Sequence, residues 1–439
     1  MPKIRLLPAD DNTNGWSHFL PSRKPKPALE GNRKVDFAVI GAGYAGLAAA
    51  RRLAENRPDA RIVLLDAQNA GEGTSGRNAG FVIDLPHNVS SSMEELAKSN
   101  NYRALARTGI DYLRRQIDRY GIACDWHKQG KFHAAVSDQG IREVLEPTTR
   151  ELERLEEPFV WYDKDALARR LGTSHFKSAI YTYGTILLNP AALVRGLADS
   201  LPENVTLYEN TPVVDIDYGD MVTITTTGGT VQAETVILTV GGFGEQFGFF
   251  QRKLLNFAAH ASLSRKLADD EYNALGAVEP WGLTPANSFA GITMRLTTDR
   301  RILVRQNVHF CPSLRQSDER RRQIKREHKR LFDERFPMLP KVDMESTWTG
   351  YICLSRNGTP GFGRMAKNIY MSVCQNGVGI AKGTVSGVLA ADMACGIDNP
   401  MIADMQQLGS PTRLPPRPFL DIGVRARFAW ELWRARHEV

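Results

Sequence analysis

Gly41, Gly43 and Gly46 form a GAGYAG turn, and Asp66 follows about twenty residues after the last of them. Residues of these types at this spacing can hold a dinucleotide. Gly41 permits a tight turn, Gly43 lets the backbone approach a pyrophosphate, and Gly46 lets a helix pack closely on a strand. The helix opened by Tyr44 and Ala45 offers free N–H groups to phosphate oxygens. Asp66, followed by Ala67, falls where one carboxylate can accept from both ribose hydroxyls. A second run of small residues, GEGTSGRNAGF, implies another close approach to a ligand. Within it Gly73, Thr74, Ser75 and Gly76 can present donors to phosphate, Arg77 can add positive charge, and Asn78, Ala79 and Gly80 leave room for a flat ring.

These groups need particular elements to position them. VDFAVI reads as a strand, LAAARRLAEN as a helix and RIVLLD as a second strand, which together make a βαβ unit. The alternative, a chance glycine turn in an α/β core, leaves the terminal acid unexplained. Near the other end, Gly377, Gly379 and Gly383 precede the apolar helical run Val385 to Ala394, so a further helix amino terminus points at something. Lys382 either assists there or is solvated on the helix surface.

GAGYAGL, Asp66 and GTSGRNAGF together resemble the D-amino-acid-oxidase-type FAD-dependent amine and amino-acid oxidases, and most resemble their γ-glutamylputrescine-oxidase-like branch. The resemblance resumes in NPAALVRGL, YENTPVVDID and ETVILTVGG, then in WTGYICLSRNGTPGFG and NIYMSVCQNGVGIAKGTVSGVLAADMA, covering residues 35–399. It extends to iminodiacetate-oxidase-like members. The fold it implies is α/β: a Rossmann-like FAD-binding domain of the GR2 or DAO type, interleaved with an α+β substrate domain on a mixed or antiparallel sheet. It also implies FAD as cofactor, with Val213, Gly241, Gly242, Asn376, Gly377, Val378, Gly379, Ile380, Ala381 and Lys382 joining the cofactor-binding residues above. Val378 replaces a histidine found in many relatives, Ala381 replaces a lysine of sarcosine-oxidase-like members, and Cys353 is displaced from their flavin-linking cysteine. Non-covalent FAD is therefore expected.

The resemblance divides the chain into an extended arm (1–34), a discontinuous FAD-binding domain (35–88, 189–248 and 346–399), a substrate-binding domain (89–188 and 249–345) and a carboxyl-terminal arm or helix (400–439). Within the substrate domain, two β-like runs flank a turn at Thr298–Arg300 and predict a hairpin. Arg305 on it stands where that branch tends to have glycine, and a guanidinium binds carboxylates in bidentate fashion. Arg305 is the leading expected substrate ligand, with Arg295, Tyr351 and His309 behind it; each also has an ordinary structural role open to it.

The expected reaction oxidises the C–N bond of a secondary amine or amino acid bearing carboxylates. Hydride passes to flavin N5, the imine hydrolyses, and O2 is the expected acceptor. Iminodiacetate-like and opine-like compounds fit, giving an amino acid and an oxo acid. A polyamine oxidase of the γ-glutamylputrescine type and a dehydrogenase feeding a membrane acceptor are the alternatives.

Composition sets the outer bounds. The 439 residues carry 56 lysines and arginines against 49 acids, a net +7, which suits small anionic substrates and is modest for nucleic-acid binding. Five scattered cysteines without a CxxC pair predict neither a disulfide framework nor a metal site. No apolar run approaches the ~20 residues of a membrane span, and no secretory signal is visible, so a cytoplasmic protein is expected. ERRRQIKREHKR should form a helix with solvated charges. Residues 422–436, IGVRARFAWELWRAR, interleave arginines with Phe428, Trp430 and Trp433 as interfacial helices do, which admits weak membrane-surface contact; docking on the protein itself or on a sister subunit is the plainer alternative.

Overall fold

The computed structural model describes residues 3–85, 93–287 and 290–438. The expected domain boundary at 88/89 lies outside them. Two eight-stranded sheets organise the chain. In the first, Arg33–Ile40 lies between Ile62–Leu65 and Thr230–Leu238 and runs parallel to both. Val205–Tyr208 extends the parallel set on one side and Ile369–Val373 on the other. Ile62–Leu65 is buried at every position, as an unbroken apolar run on an inner parallel strand must be. Gly361–Ala366 and the hairpin of Val213–Asp217 with Val222–Thr226 are antiparallel additions.

Helices Tyr44–Asn56 and Ala381–Cys395 cross on one face of this sheet. Their backbones meet at Gly387, where an added Cβ would lie 2.0 Å from the Ala45 carbonyl oxygen. Gly46 closes the same junction from the strand side, its Cβ position being 1.7 Å from the Gly41 carbonyl oxygen. Close packing thus requires both glycines.

The second sheet runs Met344–Leu354, Leu255–Ser264, Ile302–Phe310, Thr293–Leu296, Trp281–Pro285, Lys131–Ala135, Ser178–Thr182, Phe159–Tyr162. It is antiparallel except where Trp281–Pro285 pairs with Lys131–Ala135, so it is mixed. Thr293–Leu296 and Ile302–Phe310 form the hairpin anticipated around Thr298–Arg300. Met344–Leu354 belongs to this sheet although most of it falls in the segment 346–399 assigned from sequence to FAD binding; its pairing with Leu255–Ser264 could not be read locally.

Helix Asp318–Arg335, capped by the Ser317 hydroxyl, exposes Arg322, Lys325 and Arg326 as anticipated. It also buries His328 and Arg335 against the sheet. The amino-terminal arm is bound rather than loose. Trp16 packs edge-on to Trp348 at 6.1 Å, and Arg23 makes a 2.8 Å ion pair with the fully buried Glu209.

Candidate active site

A cavity of about 700 Å³ lies between the carboxyl ends of the parallel strands and the second sheet. That size sits within the roughly 300–1,000 Å³ of small-molecule sites, at the strand end where open α/β sheets bind ligands. Gly41, Gly43, Tyr44 and Ala45 form one wall, with Asp66 and Ala67 beside them. The Asp66 carboxylate accepts from the Ala42 N–H at 2.6 Å and the Gln68 N–H at 2.8 Å, one on each oxygen. A lone pair on each oxygen remains for a pair of hydroxyls. Burial pushes this carboxyl up to about 6, although its two backbone donors pull the other way.

The second glycine segment contributes Gly73, Thr74, Ser75, Asn78 and Ala79 to the wall. The Tyr44 N–H donates to the Ser75 hydroxyl at 3.3 Å, and a Cβ on Gly43 would come within 2.6 Å of that oxygen. Arg77 also borders the cavity, but its guanidinium is not free for phosphate. It bridges Asp10 and Asp11 of the arm at 3.0 and 2.7 Å and donates to the Glu72 carbonyl at 2.7 Å. Gly76 and Gly80 stand behind the wall, where a Cβ would meet the carbonyl oxygens of Gly71 and Leu188.

The returning segments complete the enclosure. Val213, Gly241 and Gly242 line it, as do Asn376, Gly377, Gly379 and Ile380 from the loop before helix Ala381–Cys395. Cys374, Asn376 and Gly377 take left-handed φ values of 56°, 54° and 80°, which fold this loop back over the cavity. Val378 and Ala381 do not line it. Lys382 turns away: its ammonium lies 5.1 Å over the Tyr102 ring, and burial lowers its pKa to about 8. The helix starts at the cavity, yet 100° per residue carries the Lys382 side chain to the opposite flank.

Two amide oxygens behind the wall, Asn256 Oδ1 and Gln375 Oε1, are left without a hydrogen-bond partner among the described residues. Orphaned acceptors of this kind cost stability unless a ligand supplies donors. Together with the glycine walls and Asp66, they fit a large dinucleotide.

On the substrate side the sheet register separates the four expected ligands. Arg305 pairs with Ala261 and Thr293, all three of which line the cavity. Burial lowers the Arg305 guanidinium to about 10, so it stays cationic at neutral pH, and no carboxylate or other acceptor faces it among the described residues. Arg295 lies two positions along the same face. Its Nη1 donates to the Leu188 carbonyl at 2.5 Å, its guanidinium stacks 5.3 Å over the Trp16 ring, and it does not reach the cavity. Tyr351 borders the cavity but pairs with Ala258, on the opposite face from Arg305. Burial pushes its phenol up to about 12. His309 also pairs with Ala258; it stacks on His260 at 5.2 Å and meets the Gln316 amide at 2.9 Å, away from the cavity.

Several wall residues escape sequence reading. Leu6 and Leu7 come from the arm, and His133 from Lys131–Ala135. His133 Nε2 donates to the Pro285 carbonyl at 3.1 Å, and burial holds the ring neutral with a pKa of about 3. Asn256 carried one usable signal, being a lone amide in the apolar run LLNFAAHA.

The FAD dependent oxidoreductase (DAO) model matches residues 36–393, and the chain belongs to that family. It is 26% identical to γ-glutamylputrescine oxidoreductase of Escherichia coli (strain K12), over 90% of each chain. Among solved structures, glycine oxidase from Geobacillus kaustophilus superposes with a TM-score of 0.70 at 19% identity, covering 88% of this chain and all of that one. Iminodiacetate oxidase from Chelativorans sp. BNC1 gives 0.66 at 17% identity, covering 87% and 100%. These two likenesses are likenesses of fold. The chain is thus an FAD-dependent oxidoreductase. Among the described residues no helix is long and apolar enough to cross a membrane, and no group of side chains could hold a metal ion.

Proposed function

We propose that the substrate is an amine bearing at least one carboxylate, such as an iminodiacetate-like or opine-like secondary amino acid, and that O2 is the acceptor. The observation that carries this reading is Arg305, a cation facing the cavity without a partner among the described residues. A buried, unpaired guanidinium is costly, and a carboxylate that forks onto it with two charge-assisted hydrogen bonds removes the cost.

The glycine walls and Asp66 would hold FAD, whose chemistry would be to take up the hydride lost from the carbon next to the amine nitrogen; water then hydrolyses the imine. The residues themselves orient and enclose. Arg305 holds the carboxylate, and Ala259, Ala261 and Gly350 keep the neighbouring sheet surface low enough for a flat ring. Phe257 and Val308 add apolar surface that excludes water. Neutral His133 adds no charge beside the amine, which must itself be neutral so that its lone pair forms the C=N bond as hydride leaves. Asp66 and the backbone of the GAGYAG turn hold the dinucleotide.

Non-covalent attachment accords with the state of Cys353. It lines the cavity, but its hydrogen bond with Cys374 and its burial raise its pKa well above the ordinary thiol range, which leaves it protonated and weakly nucleophilic. Acid precipitation should release the flavin.

The test is anaerobic mixing of holoenzyme with a panel that includes iminodiacetate, an opine, γ-glutamylputrescine, glycine and a plain diamine, followed by air. Bleaching of flavin by the amino dicarboxylates and rapid recolouring in air is the expected result. Bleaching by the plain diamine alone would overturn the carboxylate assignment, and bleaching without recolouring would overturn oxygen as acceptor.

A further inference from the structure

Helix Phe419–Arg434 has two faces of different character. At about 100° per residue, Phe419, Ile422, Ala426, Trp430 and Trp433 fall within an arc of roughly 80°. This arc points outward: Phe419 is 70% exposed, Ile422 63%, Trp430 43% and Trp433 63%. Val424 and Phe428 occupy the opposite side and pack on the second sheet, with the Phe428 ring 5.9 Å from that of Phe257. Phe428 is therefore an anchor, and the outward stripe is made by the other aromatics.

The helix is held in place at both ends. Before it, Leu414 and Arg252 exchange backbone and guanidinium hydrogen bonds of 2.7 and 3.0 Å. At its far end Arg434 pairs with Glu143 at 2.7 Å, and the Glu438 carboxylate accepts from the Val136 and Ser137 N–H groups at 3.1 and 3.0 Å. A helix fixed this firmly and yet apolar outward is a presented surface.

Its charge identifies the partner. Residues 417–438 hold five arginines against three acids; Arg417 and Arg427 pair with Asp421 and Glu431, Arg434 with Glu143, and Glu438 caps the Ser137 turn, which leaves Arg425 and Arg436 without an acidic partner among the described residues. The guanidinium groups of Arg427 and Arg434 lie 4.6 and 5.6 Å over the Trp430 ring, and that of Arg436 lies 4.8 Å over Trp433. Cations thus border the aromatic stripe at the depth where lipid phosphates meet acyl chains. A second copy is a poorer fit, because it would bring two net-positive helices together, whereas an anionic lipid surface complements their charge.

We propose that this face docks on an anionic phospholipid surface, with Phe419, Ile422, Trp430 and Trp433 seated among the acyl chains and the arginines on the phosphates. The docking holds whichever amine is oxidised, so its failure and that of the substrate assignment are separate.

The test is flotation of holoenzyme with vesicles of phosphatidylglycerol and phosphatidylcholine, against phosphatidylcholine alone, at low and high salt. Wild type should float with the anionic vesicles, bind phosphatidylcholine at least tenfold less, and be released by salt. Trp430→Ser with Trp433→Ser should abolish flotation while flavin content stays unchanged. Arg425→Glu with Arg427→Glu, which spares every aromatic side chain, should do the same. Absence of flotation with pure phosphatidylglycerol at low salt, undiminished binding by both variants, or a solution dimer that the tryptophan variant dissociates without any lipid binding would each overturn the proposal.

Discussion

Arg305 and Arg295 project from the same face of one hairpin, two positions apart in register, and are both buried cations, but among the described residues only Arg295 has partners, including Asp125 at 3.6 Å. Arg295, opposite Leu303, is spent on the Leu188 carbonyl and the Trp16 ring, whereas Arg305, opposite Thr293, faces the cavity without an acceptor among the described residues. Two residues of strand, about 7 Å, thus separate a packing arginine from one whose guanidinium is unpaired at the cavity. Arg305→Met should raise KM for a carboxylated amine at least about 10- to 100-fold, as the loss of charged hydrogen bonds worth about 1.5–3 kcal/mol implies. Arg305→Lys should recover part of it. Steady-state kinetics at fixed flavin content measures both, and an unchanged KM in Arg305→Met would remove Arg305 from the site.

Asp66 should make cofactor binding depend on pH. Its folded-state pKa, about 6, lies above the ordinary 3.8, so the native apoprotein holds this proton more tightly than the unfolded chain does. Its contribution to apoprotein stability is therefore greatest below the ordinary value and is lost as pH rises through about 6. Ribose hydroxyls donate to the ionised form, so FAD affinity should rise as pH climbs through the same range. Fluorescence titration of apoprotein with FAD from pH 5 to pH 8 reads this directly; a flat profile would contradict the assigned contact.

The glycine junction between helices Tyr44–Asn56 and Ala381–Cys395 tolerates no side chain. Gly387→Ala should lower stability by about 1–3 kcal/mol, the usual range for overpacking, and weaken FAD retention because Ala45 shifts with the turn. Thermal melts of apoprotein and holoprotein should fall together.

Glu209 holds the arm on the body. It is fully buried and accepts from Arg23 at 2.8 Å and from the backbone N–H groups of Lys26 and Ala70. Arg23→Met strands this carboxylate and should cost about 3–5 kcal/mol. Limited proteolysis should then cut between residues 20 and 30, where wild type resists.

Lys382 offers a contrasting expectation. Burial depresses its pKa to about 8, below the ordinary 10.5, so its charge costs stability at pH 7 and the cost fades as pH rises through 8. Lys382→Met should raise the melting temperature at pH 7 and leave the rate of flavin reduction unchanged. A large fall in that rate would place the ammonium at the flavin after all.

The sequence alone determined what depends on neighbours along the chain. The GAGYAG turn, the acid after RIVLLD and the glycine loop before Val385 are legible because tight turns and close backbone approach demand specific residue types within a few positions. The hairpin around Thr298–Arg300 is legible for the same reason. What the tertiary structure decided is which charged groups remain free. Arg77 reads as a phosphate ligand until Asp10 and Asp11 arrive from more than sixty residues away. Lys382 reads as a flavin partner until helix rotation sets it on Tyr102, and Arg295 reads like Arg305 until Leu188 takes its donors. Local pattern specifies backbone conformation, but an ionic group's availability depends on every partner within hydrogen-bonding reach, and those partners are assembled only by the fold.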